Sequence, residues 1–110
     1  MTGKLVLVPF PFTDLTASKL RPALVLYECE EDVILAFISS KIPDRPSETD
    51  VIITSKNAGF KKTGLKVDSV IRLDKITTVL KELVLGEIGE IDAQLKKEVK
   101  EKMQKMFEKL

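Results

Sequence analysis

The stretch Ser69-Val70-Ile71-Arg72-Leu73-Asp74 decides the fold class. Val70, Ile71 and Leu73 give it β character, and side chains two residues apart on a strand project from one face. Arg72 and Asp74 therefore stand side by side, roughly 7 Å apart at their α-carbons. The chain has no histidine, so the usual neutral-pH proton shuttle is absent. Acid–base chemistry falls to carboxylates, Lys, Arg or Tyr. Read alone, the pair is equally an exposed ion pair, a feature that contributes only ~0–1 kcal/mol.

Outward from this strand, residues 4–8 read as a first strand ended by Pro9-Phe10-Pro11-Phe12, where two missing amide donors forbid central pairing. Residues 22–27 and 33–38 form two more strands joined by an acidic turn. Residues 50–54 and 69–73 give a fourth and fifth, and 83–88 a sixth. Polar loops fall at 13–20, 41–48 and 55–64. The period then changes. Leu95, Val99, Met103, Met106 and Leu110 recur at spacings of four and three, with Asp92 as N-cap, which predicts an amphipathic helix of about five turns. The expected architecture is mainly β with a C-terminal helix (α+β): a small, strongly bent antiparallel sheet or barrel over residues 3–90, with the helix over 92–110.

Length and composition agree with this. The 110 residues form one domain, 1–110, and 44% hydrophobic against 32% charged residues excludes a disordered chain. Apolar runs are too short to span a membrane, and Met1-Thr2-Gly3-Lys4 offers no secretory h-region, so the expected location is cytoplasmic. One cysteine excludes a disulfide framework and a Cys-based zinc cluster. Cys29 sits among Glu28, Glu30, Glu31 and Asp32, whose charges disfavour a thiolate. No metal site and no cofactor motif is found. Net charge is only +1, yet residues 51–67 hold Lys56, Lys61, Lys62 and Lys66 and no acid, a cluster able to track phosphates or simply to be solvated.

Three further positions carry possible chemistry. Arg21 precedes Pro22, which keeps it out of helical geometry and extended at a strand mouth. Ser39 and Ser40 end the third strand, where hydroxyls either bind phosphate oxygens or satisfy the turn. Without histidine a Ser-His nucleophile is excluded, and no Walker loop or dinucleotide fingerprint is present.

Gly3-Lys4-Leu5-Val6-Leu7-Val8-Pro9-Phe10-Pro11-Phe12-Thr13-Asp14 followed by Leu20-Arg21-Pro22-Ala23-Leu24-Val25-Leu26 resembles the opening signature of the MazF/PemK toxins. Ile38-Ser39-Ser40 resembles the Thr-Ser or Ser-Ser strand end of that family, and Ser69 to Lys75 its Arg-x-Asp strand. The resemblance implies an SH3-like barrel and a homodimer that cleaves single-stranded RNA without a metal, neutralised by a cognate antitoxin protein. It carries catalytic roles onto Arg21, Ser39, Arg72 and Asp74, with Asp74 as base. Ser40, Lys19, Lys56, Lys61, Lys62 and Phe12 are the expected substrate-binding residues. The first-loop histidine of some relatives is absent here. The expected reaction is attack of a 2′-hydroxyl on its own phosphorus, leaving a 2′,3′-cyclic phosphate and a 5′-hydroxyl. Bases would splay against Phe10, Phe12 or Phe60, residues equally suited to filling a core. The alternatives are a toxin similar to CcdB, gripping a protein with the same barrel, and a degenerate relative that binds without cutting.

Overall fold

Near-continuous apolar runs, such as Leu5 to Val8, Ala23 to Leu26 and Val33 to Ile38, give the long strands two buried faces, and the architecture follows from covering both. The computed structural model describes residues 1–10 and 19–110. Its strands are β1 (Lys4–Phe10), β2 (Lys19–Glu28), β3 (Asp32–Ser39), β4 (Asp50–Ile53), β5 (Ser69–Leu80) and β6 (Gly86–Glu90). They form one antiparallel sheet in the order β4-β5-β3-β2-β1-β6. A short helix, α1 (Phe60–Thr63), lies between β4 and β5, and α2 (Ala93–Glu108) ends the chain.

On one face Leu5, Leu24, Ile38, Ile53, Ile71 and Leu73 pack against Leu95 and Val99 of α2. On the other, Val6, Val8, Ala23, Val25, Leu35 and Val79 form a second cluster, which the curl of the sheet encloses with Leu83 and Val84. The curl is set by bulges. Ala36 pairs with Ile76 while the next residue, Phe37, pairs with Arg72, so residues 73–75 are extra on β5. Such an insertion bends a strand and re-aims its side chains. α1 then bridges the two ends of the curled sheet, reaching β6. Gly64 allows the approach: it has φ +76°, and a Cβ there would strike the Ile88 carbonyl.

The expected fold class is the observed one, with corrections in the elements. β1 runs through Pro9, because the face of Pro9 that lacks an N–H points toward β6, and β6 has already ended at the Leu7–Gly86 pair. β2 starts at Lys19, so Arg21 and Pro22 lie within a strand, paired with Val8 and Leu7, rather than at its mouth. β5 continues past its bulge to Leu80, and a 3-10 turn, Lys81–Leu83, delays β6 to Gly86. The basic stretch is not all loop, since α1 carries Lys61 and Lys62. Asp92 caps α2 as expected, accepting from the Leu95 N–H at 2.9 Å, but Leu110 lies beyond the helix and is exposed. Among the described residues no helix is long and apolar enough to cross a membrane.

Ion pairs fasten the β2–β3 end. The α-amino group of Met1 donates to Glu28 at 2.6 Å, and Lys81 lies 2.9 Å from the other carboxylate oxygen. These two cations, the α-amino group foremost, hold Glu28 down from 4.5 to about 2. A carboxylate lowered by folding stabilises above its unfolded value and loses that contribution as pH falls through the folded one. Stability will therefore decline between about pH 4.5 and 2. In Glu28→Gln this part of the decline will be missing, as read from melting temperatures across that window.

Candidate functional site

The ladder brings residues far apart in sequence onto one row. Ala23 of β2 pairs with Phe37 of β3, and Phe37 pairs with Arg72 of β5. Arg21 lies two residues before Ala23 and so shares its face of the sheet. Two strand spacings of ~4.8 Å and a two-residue offset of ~7 Å separate Arg21 from Arg72 at the backbone, within reach of two long side chains. Both line an open cleft of about 350 Å³, together with Phe37, Ser39, Ser40, Lys41 and Lys75. Four of these residues are cationic and none is acidic, so the cleft attracts an anion.

Arg72 is the most constrained of the four. Its Nε donates to Asp74 Oδ1 and one Nη to Asp74 Oδ2, each at 3.2 Å, in a planar two-bond fork. Its Nε also lies 3.1 Å from Oδ1 of Asp50, the residue directly opposite on β4. Asp50 is buried, with a side-chain exposure of 4%. Its Oδ2 accepts from the Ser47 N–H at 2.9 Å, whereas Oδ1 accepts no hydrogen bond from the described residues. A buried polar atom left so costs ~1–3 kcal/mol, which the adjacent guanidinium charge offsets in part. The hydrogen bond to Asp74, then the Asp74 and Asp50 charges, raise Arg72 above its ordinary arginine value, against the opposing effect of burial. Arg72 is thus a fixed cation, not a proton donor.

Asp74 itself is exposed and does not line the cleft, though its neighbour Lys75 does. It stands on the bulge at residues 73–75, tethered to the rim by Arg72. Ser39 Oγ accepts from the Lys41 N–H at 3.0 Å, serving the turn, and keeps its own proton to donate. Ser40 is exposed and also borders a second cleft with Ser55, Phe60, Lys66 and Asp68.

The remaining expected binding residues are less gathered. Lys19 is exposed at the start of β2, and Lys56 is exposed in the turn after β4. Lys61 and Lys62 sit on α1, where Lys62 leans toward Glu90 at 3.7 Å. None of these four lines the cleft. Phe60 packs partly against the core, as the filling alternative expected. Phe12 lies outside the described residues. Sequence reading missed Asp50, Lys41 and Lys75. Asp50 opens an apolar strand, and a lone acid at such a position was the one available signal.

The sequence matches, over residues 1–107, the family described as PemK-like, MazF-like toxin of type II toxin-antitoxin systems. Curated proteins offer no match. Among solved structures the chain is similar to the Mycobacterium tuberculosis toxin MazF-mt6, with a TM-score of 0.72, 21% identity and 96% of each chain covered. An endoribonuclease in complex with its cognate antitoxin, from a mycobacterial species, also gives a TM-score of 0.72 at 14% identity, covering 96% of this chain and 91% of that one. MazF from Deinococcus radiodurans gives 0.69 at 19% identity, covering 96% and 94%. At such identities these likenesses speak for the fold.

Proposed function

The chain belongs to the PemK-like, MazF-like toxins of type II toxin–antitoxin systems, and from that premise we propose that it is an endoribonuclease acting on single-stranded RNA. The observation that carries the proposal is the acid-free cleft in which Arg21 and Arg72 share one sheet face with Ser39, with Ser40 also lining it. A phosphodiester is the anion such planar, bidentate donors suit.

In the proposed reaction the 2′-hydroxyl oxygen attacks its adjacent phosphorus, its proton passes to Asp74, and the P–O5′ bond breaks. The 5′-oxygen takes a proton from water, leaving 2′,3′-cyclic phosphate and 5′-hydroxyl ends. Arg21 and Arg72 stabilise the charge that builds on the phosphorane oxygens, which is the largest service a site can render such a step. Ser39 donates its O–H hydrogen bond to the scissile phosphate, and Ser40, Lys41 and Lys75 hold the flanking chain. No metal is required, because the guanidinium groups supply the positive charge. A 2′-hydroxyl nucleophile restricts the substrate to RNA.

The working unit is proposed to be a homodimer, neutralised by an antitoxin. An apolar groove between β2 and α2, formed by Leu24, Leu26, Val99, Met103 and Phe107 and edged by Lys96 and Lys100, has the chemistry to take an acidic segment with an apolar face. The test is end-mapping after incubation with single-stranded RNA or matched DNA, each with EDTA. The expected result is discrete cuts in RNA alone, with 5′-hydroxyl ends and no loss in EDTA. Intact RNA, bound or unbound, overturns the reading.

A further inference from the structure

Arg72 has two carboxylates competing for one Nε–H, and we infer that Asp50 is its alternate seat: when RNA enters the cleft, the guanidinium transfers from Asp74 to Asp50 and frees Asp74 to accept a proton. The inference rests on the nuclease reading above, which leaves a difficulty unsolved. The proposed base spends both carboxylate oxygens on Arg72, and a carboxylate so engaged is poorly placed to take a proton from the substrate.

Asp50 supplies the way out. Its Oδ1 is 3.1 Å from Arg72 Nε, as near as Asp74 Oδ1 at 3.2 Å, yet the hydrogen bond goes to Asp74. Asp50 Oδ1 is buried and accepts no hydrogen bond from the described residues. The carboxylate is also fixed in place. Its Oδ2 is held by the Ser47 N–H at 2.9 Å, and the Asp50 N–H returns to the Ser47 carbonyl at 3.1 Å. A charged acceptor therefore waits, already ordered, directly across the ladder from the arginine.

The balance between the two seats depends on the cleft. With it empty, Asp74 offers two hydrogen bonds and Asp50 one. A phosphate oxygen that captures the Nη now bound to Asp74 reduces Asp74 to a single bond. Asp50 then competes on equal count, with the advantage that its buried oxygen has no water to replace the arginine, whereas exposed Asp74 does. Asp50 acts through Arg72 and is a positioning residue.

The chain has three arginines, Arg21, Arg45 and Arg72, so their Nε–H signals can be followed individually by NMR. Asp74→Ala removes an exposed side chain and leaves the core untouched. In free Asp74→Ala the Arg72 Nε–H should exchange with solvent about tenfold or more slowly than that of exposed Arg45. Adding Asp50→Asn to that variant should bring Arg72 to the Arg45 rate. Saturating single-stranded 2′-O-methyl RNA should move the wild-type Arg72 signal to its position in Asp74→Ala. Asp50→Asn alone should lower kcat with KM little changed. Exchange of Arg72 at the Arg45 rate in Asp74→Ala overturns the alternate seat, and an RNA-insensitive Arg72 signal overturns the transfer. Failure of the wild-type protein to cut RNA would instead overturn the nuclease reading, while the exchange result still decides the seat.

Discussion

Arg21→Ala is expected to reduce RNA cleavage by about 10²–10³-fold, the usual loss when one preorganised donor to a developing oxyanion is removed. The melting temperature should not fall, because Arg21 is exposed and its β2 neighbours Ala23, Leu24 and Val25 carry the packing. Arg21→Lys should recover only part of the activity. A lysine keeps the charge but not the planar fork that grips two oxygens at once. Single-turnover cutting of a short RNA, beside a thermal melt of each variant, checks both halves. An Arg21→Ala protein that cuts at the wild-type rate would remove this residue from the site.

Arg72→Ala is expected to fail twice, in activity and in stability. The activity loss should again be about 10²-fold or more, since the second cation of the cleft disappears. Stability should drop by about 1–3 kcal/mol, because the buried Asp50 carboxylate loses the only opposite charge the described residues place beside it. The two losses separate in Arg72→Ala/Asp50→Asn. A neutral amide at position 50 can still accept from the Ser47 N–H and no longer needs a cation, so urea unfolding should show most of the stability restored. Cutting should stay as low as in Arg72→Ala. Equal stability of the single and double variants would mean that Asp50 is not held by Arg72 charge.

Strands were legible from short apolar runs rich in β-branched and aromatic residues, as at Val33 to Ile38, and α2 was legible from its 3.6-residue period and its Asp92 cap. What sequence reading lost were continuations across charged or proline interruptions. Asp74 and Lys75 looked like the end of a strand and are a bulge inside one, because Ile76 to Leu80 resumes pairing with β3. Pro9 looked like a barrier and is tolerated, because among the described residues no strand pairs with it on the side where its donor is missing. The basic stretch 51–67 looked like one surface, yet α1 sets Lys62 beside Glu90 of β6, and neither Lys61 nor Lys62 lines the Arg21–Arg72 cleft.

The chain alone determined the fold class, the family resemblance and the two arginines, since those rest on local alternation and short motifs that no distant contact alters. Tertiary structure alone decided that Arg72 also meets a second carboxylate, Asp50. Asp50 is 22 positions earlier in sequence and becomes its neighbour only through β4–β5 register, where the pairing of one strand fixes which side chains oppose each other.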